Sequence, residues 1–368
     1  MKWWDRVKHR PFWIKLLQWE YWPGKAYYYP LVPHILLLML RARHICFFTA
    51  ANPGIYTGGL GLESKFDTLK KIPERYRPKS CLIPSGVPIQ EVRQQLASVG
   101  ITFPLIAKPD LGFRGLLVRK VDDEAALQAY LTQFPIDFVL QEFLDFPEEI
   151  GVLYYRLPGA KRGRISSLTT KEFLSVTGDG NASVEALILQ KDRAHLQLER
   201  IRTQQPELLQ QVPVAGEEIP LGIVGNHAKG TRFINSTARA DEAITQTIDA
   251  IARQIDGFYY GRFDLKCASF DSLRTGEGIR IIEVNGVCSE PTHIYDPQRG
   301  TYFSALRDIA HHWSLIYRIA RANHRNGAPY MEVRKLARAF LDLFAYQRRI
   351  AEIEKQSAVG SRQCAVHQ

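Results

Sequence analysis

Two short segments late in the chain carry acids at spacings that suit a metal. In GRFDLKC (261–267), alternation along an extended strand puts Arg262, Asp264 and Lys266 on one side and Phe263, Leu265 and Cys267 on the other. In RIIEVNG (280–286), Glu283 and Asn285 share a side, and Ile282 and Val284 are expected to face the core. Were the two strands neighbours, Asp264, Glu283 and Asn285 would converge. Three hard oxygen donors with room for water suit Mg²⁺ better than zinc, and a bound nucleotide would supply the remaining oxygens. Solvent-facing polar positions on a half-exposed sheet explain the same pattern.

A second group surrounds Lys108, which closes a strand-like run, with Gly112 and Gly115 just after it. Backbone N–H groups of such a loop can cover phosphates beside a lysine point charge. A β-hairpin using glycine to turn tightly explains it as well. Neither G-x-x-x-x-G-K-[ST] nor G-x-G-x-x-G occurs, which excludes a P-loop or Rossmann site, and no G-x-S-x-G elbow is present.

The elements that would position these groups alternate sharply. ITFPLIAKPD, LLVRKV and DFVLQEFL read as strands, with a helix over DDEAALQAYLTQF capped by Asp122. EIGVLYYRL and RISSLTTKEFLSV read as antiparallel strands, SVEALILQKDRAHLQLERI as helix, Thr231–Asn235 as strand and Ala240–Ile255 as helix. Near the start, ICFFT (Ile45–Thr49) reads as a buried strand. A Gly-rich turn then leads into a helix over Ser64–Lys71, whose N-terminus offers either an anion site or a simple turn. Tyr302, Leu306, Ile309, Trp313 and Ile316 recur on one helical face, and Val333, Leu336, Phe340 and Phe344 repeat the pattern.

The chain has 368 residues, enough for two domains with a sizeable core. Its five scattered cysteines form no Cys-x-x-Cys pair, which favours a reducing, cytoplasmic compartment. The net charge of +10 sits at the ends: residues 1–50 and 318–368 each carry +6, and the body carries −2. That is not the charge map of a nucleic-acid groove, so no nucleic-acid partner is expected. Five of the six tryptophans fall in the first 22 residues among Lys and Arg, the composition of a bilayer interface. The longest apolar run, Tyr27–Leu40, is too short and too proline-rich to cross. Two readings stay open: peripheral contact with an anionic membrane surface on its inner face, or an aromatic cap packed on the body.

The order Lys108-Pro109, glycine loop, Gln141-Glu142-Phe143-Leu144, Glu149, Asp264 and Glu283-Val284-Asn285 resembles the ATP-grasp superfamily, over residues 100–300. The nearest relatives by pattern are the carboxylate–amine ligases: D-alanine–D-alanine ligases, ribosomal-protein glutamate ligases and cyanophycin synthetase. VTGDGNASVEALI resembles a stretch of cyanophycin synthetase-like ligases, and NHAKGT a segment of the glutamate-ligase branch. The resemblance implies an α+β ATP-grasp fold, two α+β lobes gripping ATP, with a basic aromatic N-terminal segment and C-terminal helices. The expected divisions are 1–50 (the basic aromatic segment), 51–95 (a remnant substrate region), 96–180 (small lobe and hinge), 181–318 (large lobe) and 319–368 (basic helix and tail).

It also implies roles. Lys108, with the loop of Gly112 and Gly115, would contact the phosphates. Gln141, Glu142 and Leu144 would form the hinge that reads adenine, and Glu149 would hold the ribose. Lys171 would be a second phosphate lysine. Asp264, Glu283 and Asn285 would hold two Mg²⁺ ions, with Mn²⁺ as a substitute. Arg262 would face an acyl phosphate, with Lys229 assisting.

Residues 1–95 show only a fragment of the substrate domain that opens D-alanine ligases, which argues against D-alanine. EVNGVCSEPTHIYDP lacks the usual Pro-Gly after Glu-x-Asn, and Ser289, Glu290, Thr292, His293 and Asp296 crowd that rim as candidate substrate contacts. Taken alone, His293 reads as a satisfied loop histidine before it reads as a catalytic base. Glu63 and Ser64 are candidates to meet a substrate amine, or a helix cap. The expectation is an ATP-dependent carboxylate–amine (or thiol) ligase, EC 6.3-like, acting on small or lipid-like carboxylate and amine substrates. A kinase on the same scaffold and a non-catalytic, membrane-associated ATP-binding regulator are the alternatives.

Overall fold

The computed structural model describes residues 9–112, 115–222 and 225–365, with side chains as far as residue 353. The chain begins with helices α1 (Pro11–Leu17) and α2 (Val32–Ala42), separated by short helical turns, and α3 (Lys65–Lys70) follows a glycine-rich loop. Ser64 caps α3, its hydroxyl accepting from the Asp67 amide at 3.0 Å.

A four-stranded antiparallel sheet comes next: β1 (Ser80–Ile83), β2 (Leu105–Pro109), β3 (Arg119–Val121) and β4 (Phe138–Glu142), in the order β1-β4-β2-β3. Helices α4 (Ile89–Val99) and α5 (Glu124–Gln133) cover one face, sealing Ile83, Val92, Leu105, Leu127 and Phe138 in a core. Each such side chain contributes about 1.5–3 kcal/mol on burial.

The larger sheet is also antiparallel: β5 (Glu148–Tyr155), β6 (Arg164–Glu172), β9 (Arg232–Asn235), β10 (Tyr260–Cys267) and β11 (Ile279–Asn285), in the order β11-β10-β5-β6-β9. Helix α6 (Glu242–Ala252), capped by Asp241, packs Ile244, Ile248 and Ile251 against Val152, Phe263, Leu265 and Cys267. On the other face, Leu153 and Tyr260 are buried in a second core, and Glu149, Lys171, Arg262 and Asp264 line a cleft. A small sheet of β7 (Ser175–Thr177) and β8 (Glu218–Pro220) carries a satellite core with short helices between residues 184 and 209. Two lobes of helix and sheet thus face each other, the architecture that the sequence implied.

Helix α7 (Tyr302–Arg325), opened by a Thr301–Ser304 capping box, runs for about 36 Å. Helix α8 (Val333–Ala365) joins the two cores: Leu336, Ala339 and Leu343 pack beside α7, and Ile350 enters the small-lobe core.

Several local expectations give way. Ile45–Thr49 holds no strand; Phe47–Ala51 is a 3-10 turn, with Phe47 and Phe48 packed edge-on against Trp313. A short apolar run does not say which backbone will bury it. LLVRKV contributes only Arg119–Val121, and the cap of α5 is Asp123, because Asp122 pairs with Lys120 at 3.0 Å. The helix expected over residues 183–201 breaks into three. On α8, Val333 and Phe344 face out.

Candidate functional site

Strand register builds the floor of the cleft. Asp264 lies directly opposite Glu283 and Arg262 opposite Asn285, so the expected acids share one face. On the other flank, Glu149 lies opposite Lys171, and Gly151 opposite Asp264. Because Gly151 has no side chain, nothing separates Lys171 from Asp264. A chain of alternating charge results: Lys171 Nζ donates to Glu149 Oε1 at 2.8 Å and lies 3.0 Å from Asp264 Oδ1, while Arg262 Nη2 and Asn285 Nδ2 each reach Asp264 Oδ2 at 3.0 Å.

Glu149, Lys171 and Asp264 are buried, and Arg262 and Asn285 are half-buried. Burial by itself would raise the pKa of Asp264, but Arg262 and Lys171 hold it down to about 2. Burial likewise opposes the charge on Lys171, and Asp264 and Glu149 outweigh it, so Lys171 stays protonated.

The opposite wall supplies Lys108 from β2. Between Asp264 and Leu265 the β10–β11 ladder slips by one residue, leaving Ile282 without a partner. The Ile282 carbonyl accepts from Lys108 Nζ at 2.9 Å, and Gln141 Oε1 accepts from it at 3.0 Å. Ile282 therefore lines the cleft, contrary to its expected place in the core. Burial pulls the pKa of Lys108 down to about 8, with Glu283 only partly offsetting it. Gln141 Nε2 is buried with no partner among the described residues, a donor left for a ligand.

The other expected residues are placed as follows. Gly112, Gly115, Glu142, Leu144, Glu63 and Ser289 line the cleft. The loop residues Phe113 and Arg114 lie outside the described residues. The Glu142 carboxylate accepts from the Lys79 amide at 2.9 Å, and the Leu144 carbonyl from Lys266 at 3.1 Å, so both are engaged within the lobes. Glu149 is tied to Lys171, and a side chain at Gly225 would sit 2.1 Å from its Oε1. Burial raises the pKa of Glu63, whose carboxylate accepts from the Gly61 amide at 2.8 Å. Ser64 binds Asp110 and caps α3. The Asp110 carboxylate also accepts from the Phe66 amide at 2.9 Å, so the anion at that helix N-terminus is a side chain of the protein itself. Lys229 donates to the Gly115 carbonyl at 2.6 Å, tying two loops together, and is not among the residues lining the cleft. His293 lies outside the lining too, 3.1 Å from Asp308.

Sequence reasoning missed several participants. Lys65 Nζ lies 3.6 Å from Glu283 and donates to the Gly112 carbonyl at 2.5 Å. The aromatic N-terminal segment forms a wall: Tyr21, Trp22 and Tyr28 line the cleft, and Tyr27 is 1% exposed. Tyr28 and Tyr295 each donate to the Glu290 carboxylate at 2.6 Å. Buried Glu20 pairs with Arg193 and, at 2.9 Å, with His227; burial would raise its pKa, and the hydrogen bond from His227 and the Arg193 charge bring it below the ordinary value. Only Glu20's place among aromatic neighbours hinted at an inward role.

The cleft encloses ≈ 1410 Å³, more than a single small ligand fills. The donors fit Mg²⁺. Asp264 and Glu283 lie side by side on neighbouring strands, Glu283 is partly open, and Asn285 spends its amide nitrogen on Asp264, which leaves its oxygen free. Among the described residues no group of three His, Cys, Asp or Glu side chains gathers, so a softer, all-protein cage is not built here.

No family model matches the chain, and no curated protein matches it by sequence. It is similar to the solved structure of VanG D-Ala:D-Ser ligase from Enterococcus faecalis, at 13% identity and TM-score 0.41, over 73% of this chain and 64% of that one. A D-alanine–D-alanine ligase from Bacillus anthracis matches at 13% and TM-score 0.41, over 73% and 70%. A bifunctional glutathione synthetase from Pasteurella multocida matches at 16% and TM-score 0.34, over 64% and 34%. The chain thus spans just under two thirds of the first of these.

Proposed function

We propose that this protein is an ATP-dependent ligase that joins a carboxylate to an amine (or thiol) through an acyl phosphate, releasing ADP and phosphate. The observation that carries this reading is one cleft with Lys108 on the small-lobe wall and Asp264, Glu283, Asn285, Arg262 and Lys171 on the floor opposite.

Lys108, whose hydrogen-bond partners among the described residues are two neutral oxygens, is placed to exchange the Gln141 and Ile282 oxygens for phosphate oxygens. Gln141 Nε2 is free to donate to a bound nucleotide. Asp264, Glu283 and Asn285 would hold Mg²⁺, which neutralises charge on the transferring phosphoryl group. In the reaction, a carboxylate oxygen attacks the γ-phosphorus and ADP leaves. The amine nitrogen then attacks the acyl carbon, the C–O bond to phosphate breaks, and the amine's proton passes to solvent or phosphate. Arg262, fixed by Asp264, stabilises the anionic acyl phosphate and the oxyanion that follows. The aromatic wall and the loop ties of Lys65 and Lys229 exclude water, which would hydrolyse the intermediate.

The test is ADP release with Mg²⁺ across a panel of amino acids, peptides, polyamines and lipid-like amines. With ¹⁸O in the substrate carboxylate, label should appear in released phosphate. A phosphorylated hydroxyl as product, with no phosphate released, replaces this reading with a kinase, and unlabelled phosphate means that water rather than the carboxylate takes the phosphoryl group. Absence of nucleotide binding by calorimetry ends it.

A further inference from the structure

Among the described residues of the N-terminal segment, Trp19, Tyr21, Trp22, Tyr27 and Tyr28 are buried or half-buried, whereas Phe12, Tyr29 and a row of aliphatic side chains are exposed. On α2, Leu31, Ile35 and Leu38 pack inward, Leu31 and Ile35 against Ala305 and Ile309 of α7 and Leu38 beside Ile316 farther along that helix, and His34 bonds the Ala310 carbonyl at 3.2 Å. The opposite stripe, Val32, Leu36, Leu37 and Leu40, is exposed, Leu40 at 74%. An exposed apolar stripe on an ordered helix marks an interaction surface.

Charge identifies the partner. Arg41 and Arg43 are exposed at the end of α2. Beside α2, the outward face of α7 carries Phe303, then Arg307, Arg318, Arg321 and Arg325, all exposed. The one acid on α7, Asp308, is held by His293. Between residues 9 and 45 the one acid, Glu20, is buried by its partners. An apolar stripe flanked by arginines with no exposed carboxylate among them fits an anionic lipid surface, where hydrocarbon meets acyl chains and each cation meets a headgroup. At 11 residues α2 spans about 16 Å, too short to cross, and no described helix is long and apolar enough to do so.

We infer that the exposed faces of α2 and α7 dock the protein flat on an anionic bilayer, with Val32, Leu36, Leu37 and Leu40 seated among the acyl chains. Among the described residues, the face offered to lipid is this aliphatic stripe, while Trp13, Trp19 and Trp22 are half-buried. Trp22 and Tyr28, on the inner side of the same segment, line the cleft. Docking does not depend on the reaction proposed for the cleft.

The test is co-sedimentation of the full chain with phosphatidylglycerol vesicles and with phosphatidylcholine vesicles. Wild type should pellet with the first and stay in solution with the second, and release as salt rises. Leu36→Glu with Leu40→Glu should abolish pelleting, and Arg318→Ala with Arg325→Ala should weaken it roughly fivefold per arginine. Nucleotide binding and thermal melting serve as folding controls; if the leucine variant does not fold, the arginine variant decides. Failure of wild type to pellet with phosphatidylglycerol, equal pelleting with both lipids, or indifference to the folded variants overturns the inference. So does a dimer that the leucine variant turns into monomer with no pelleting, which would mean that a second copy covers the stripe.

Discussion

On the cleft floor, Asp264 touches Lys171 and Arg262 at 3.0 Å each, whereas Lys108 on the facing wall has an amide oxygen and a peptide carbonyl for company. Both regions are buried and both hold charge. The floor has neutralised itself, so its groups keep their charges without help, and removing any one strands the others. The wall holds a cation with no carboxylate in direct contact, and its charge is weakened in consequence. A charge cluster that balances itself is built to stay in place; an unbalanced one is built to receive an anion.

The comparison breaks most visibly at Asp264. Asp264→Asn would leave Lys171 and Arg262 facing each other in a dry site, and urea unfolding should show a loss of about 3–5 kcal/mol. Because the carboxyl is held down to about 2, below its ordinary value, its contribution is complete above the unfolded pKa and disappears only as pH falls toward 2. A variant as stable as wild type would mean that the floor is not self-balanced.

Lys108→Met should behave in the opposite way. Stability should move by less than about 1 kcal/mol, since the change removes a poorly compensated buried cation. Nucleotide affinity measured by calorimetry should fall by about 2–3 kcal/mol. Comparable losses in both measurements would place Lys108 with the floor.

The same contrast has a pH signature. With its pKa down to about 8, free Lys108 loses its proton as pH rises through that value, while bound phosphate would hold the proton on. Affinity should therefore fall above pH 8, by up to about tenfold per unit, and binding near pH 8 should take up protons, read from heats in buffers of different ionisation enthalpy. Lys108→Met should flatten the profile.

Glu283 sharpens the picture with the smallest effect. It is half-open and its cation is 3.6 Å away, so Glu283→Gln should cost under about 1 kcal/mol of stability. Turnover should then need more Mg²⁺, a change a purely structural residue would not produce.

Much of the floor was legible because a strand repeats every two residues. Phe263, Leu265 and Cys267 went to the core as that period requires, and Arg262 and Asp264 to the cleft. The period failed at Ile282, where one extra residue in β11 resets the alternation and frees the carbonyl that meets Lys108. Nothing local announces such a bulge. Glu149 and Lys171 were each legible as polar strand residues, but their pairing was not, because it depends on β5 and β6 lying in register. The N-terminal segment left two readings open, lipid contact or an aromatic cap on the body; Tyr28 packs as a cap would, its hydroxyl donating to Glu290, which also accepts from Tyr295 of the rim.

Sequence alone determined which side chains β10 offers to its two faces, where α3 begins and that Lys108 lies at the end of a strand, since these follow from backbone periodicity and neighbouring caps. Tertiary structure decided which carboxylate meets which cation, where the ladder slips, and which face of the N-terminal helices is left outside. Those choices rest on contacts between different elements, as between Lys108 and Ile282, and their strength depends on how much water the packed lobes exclude.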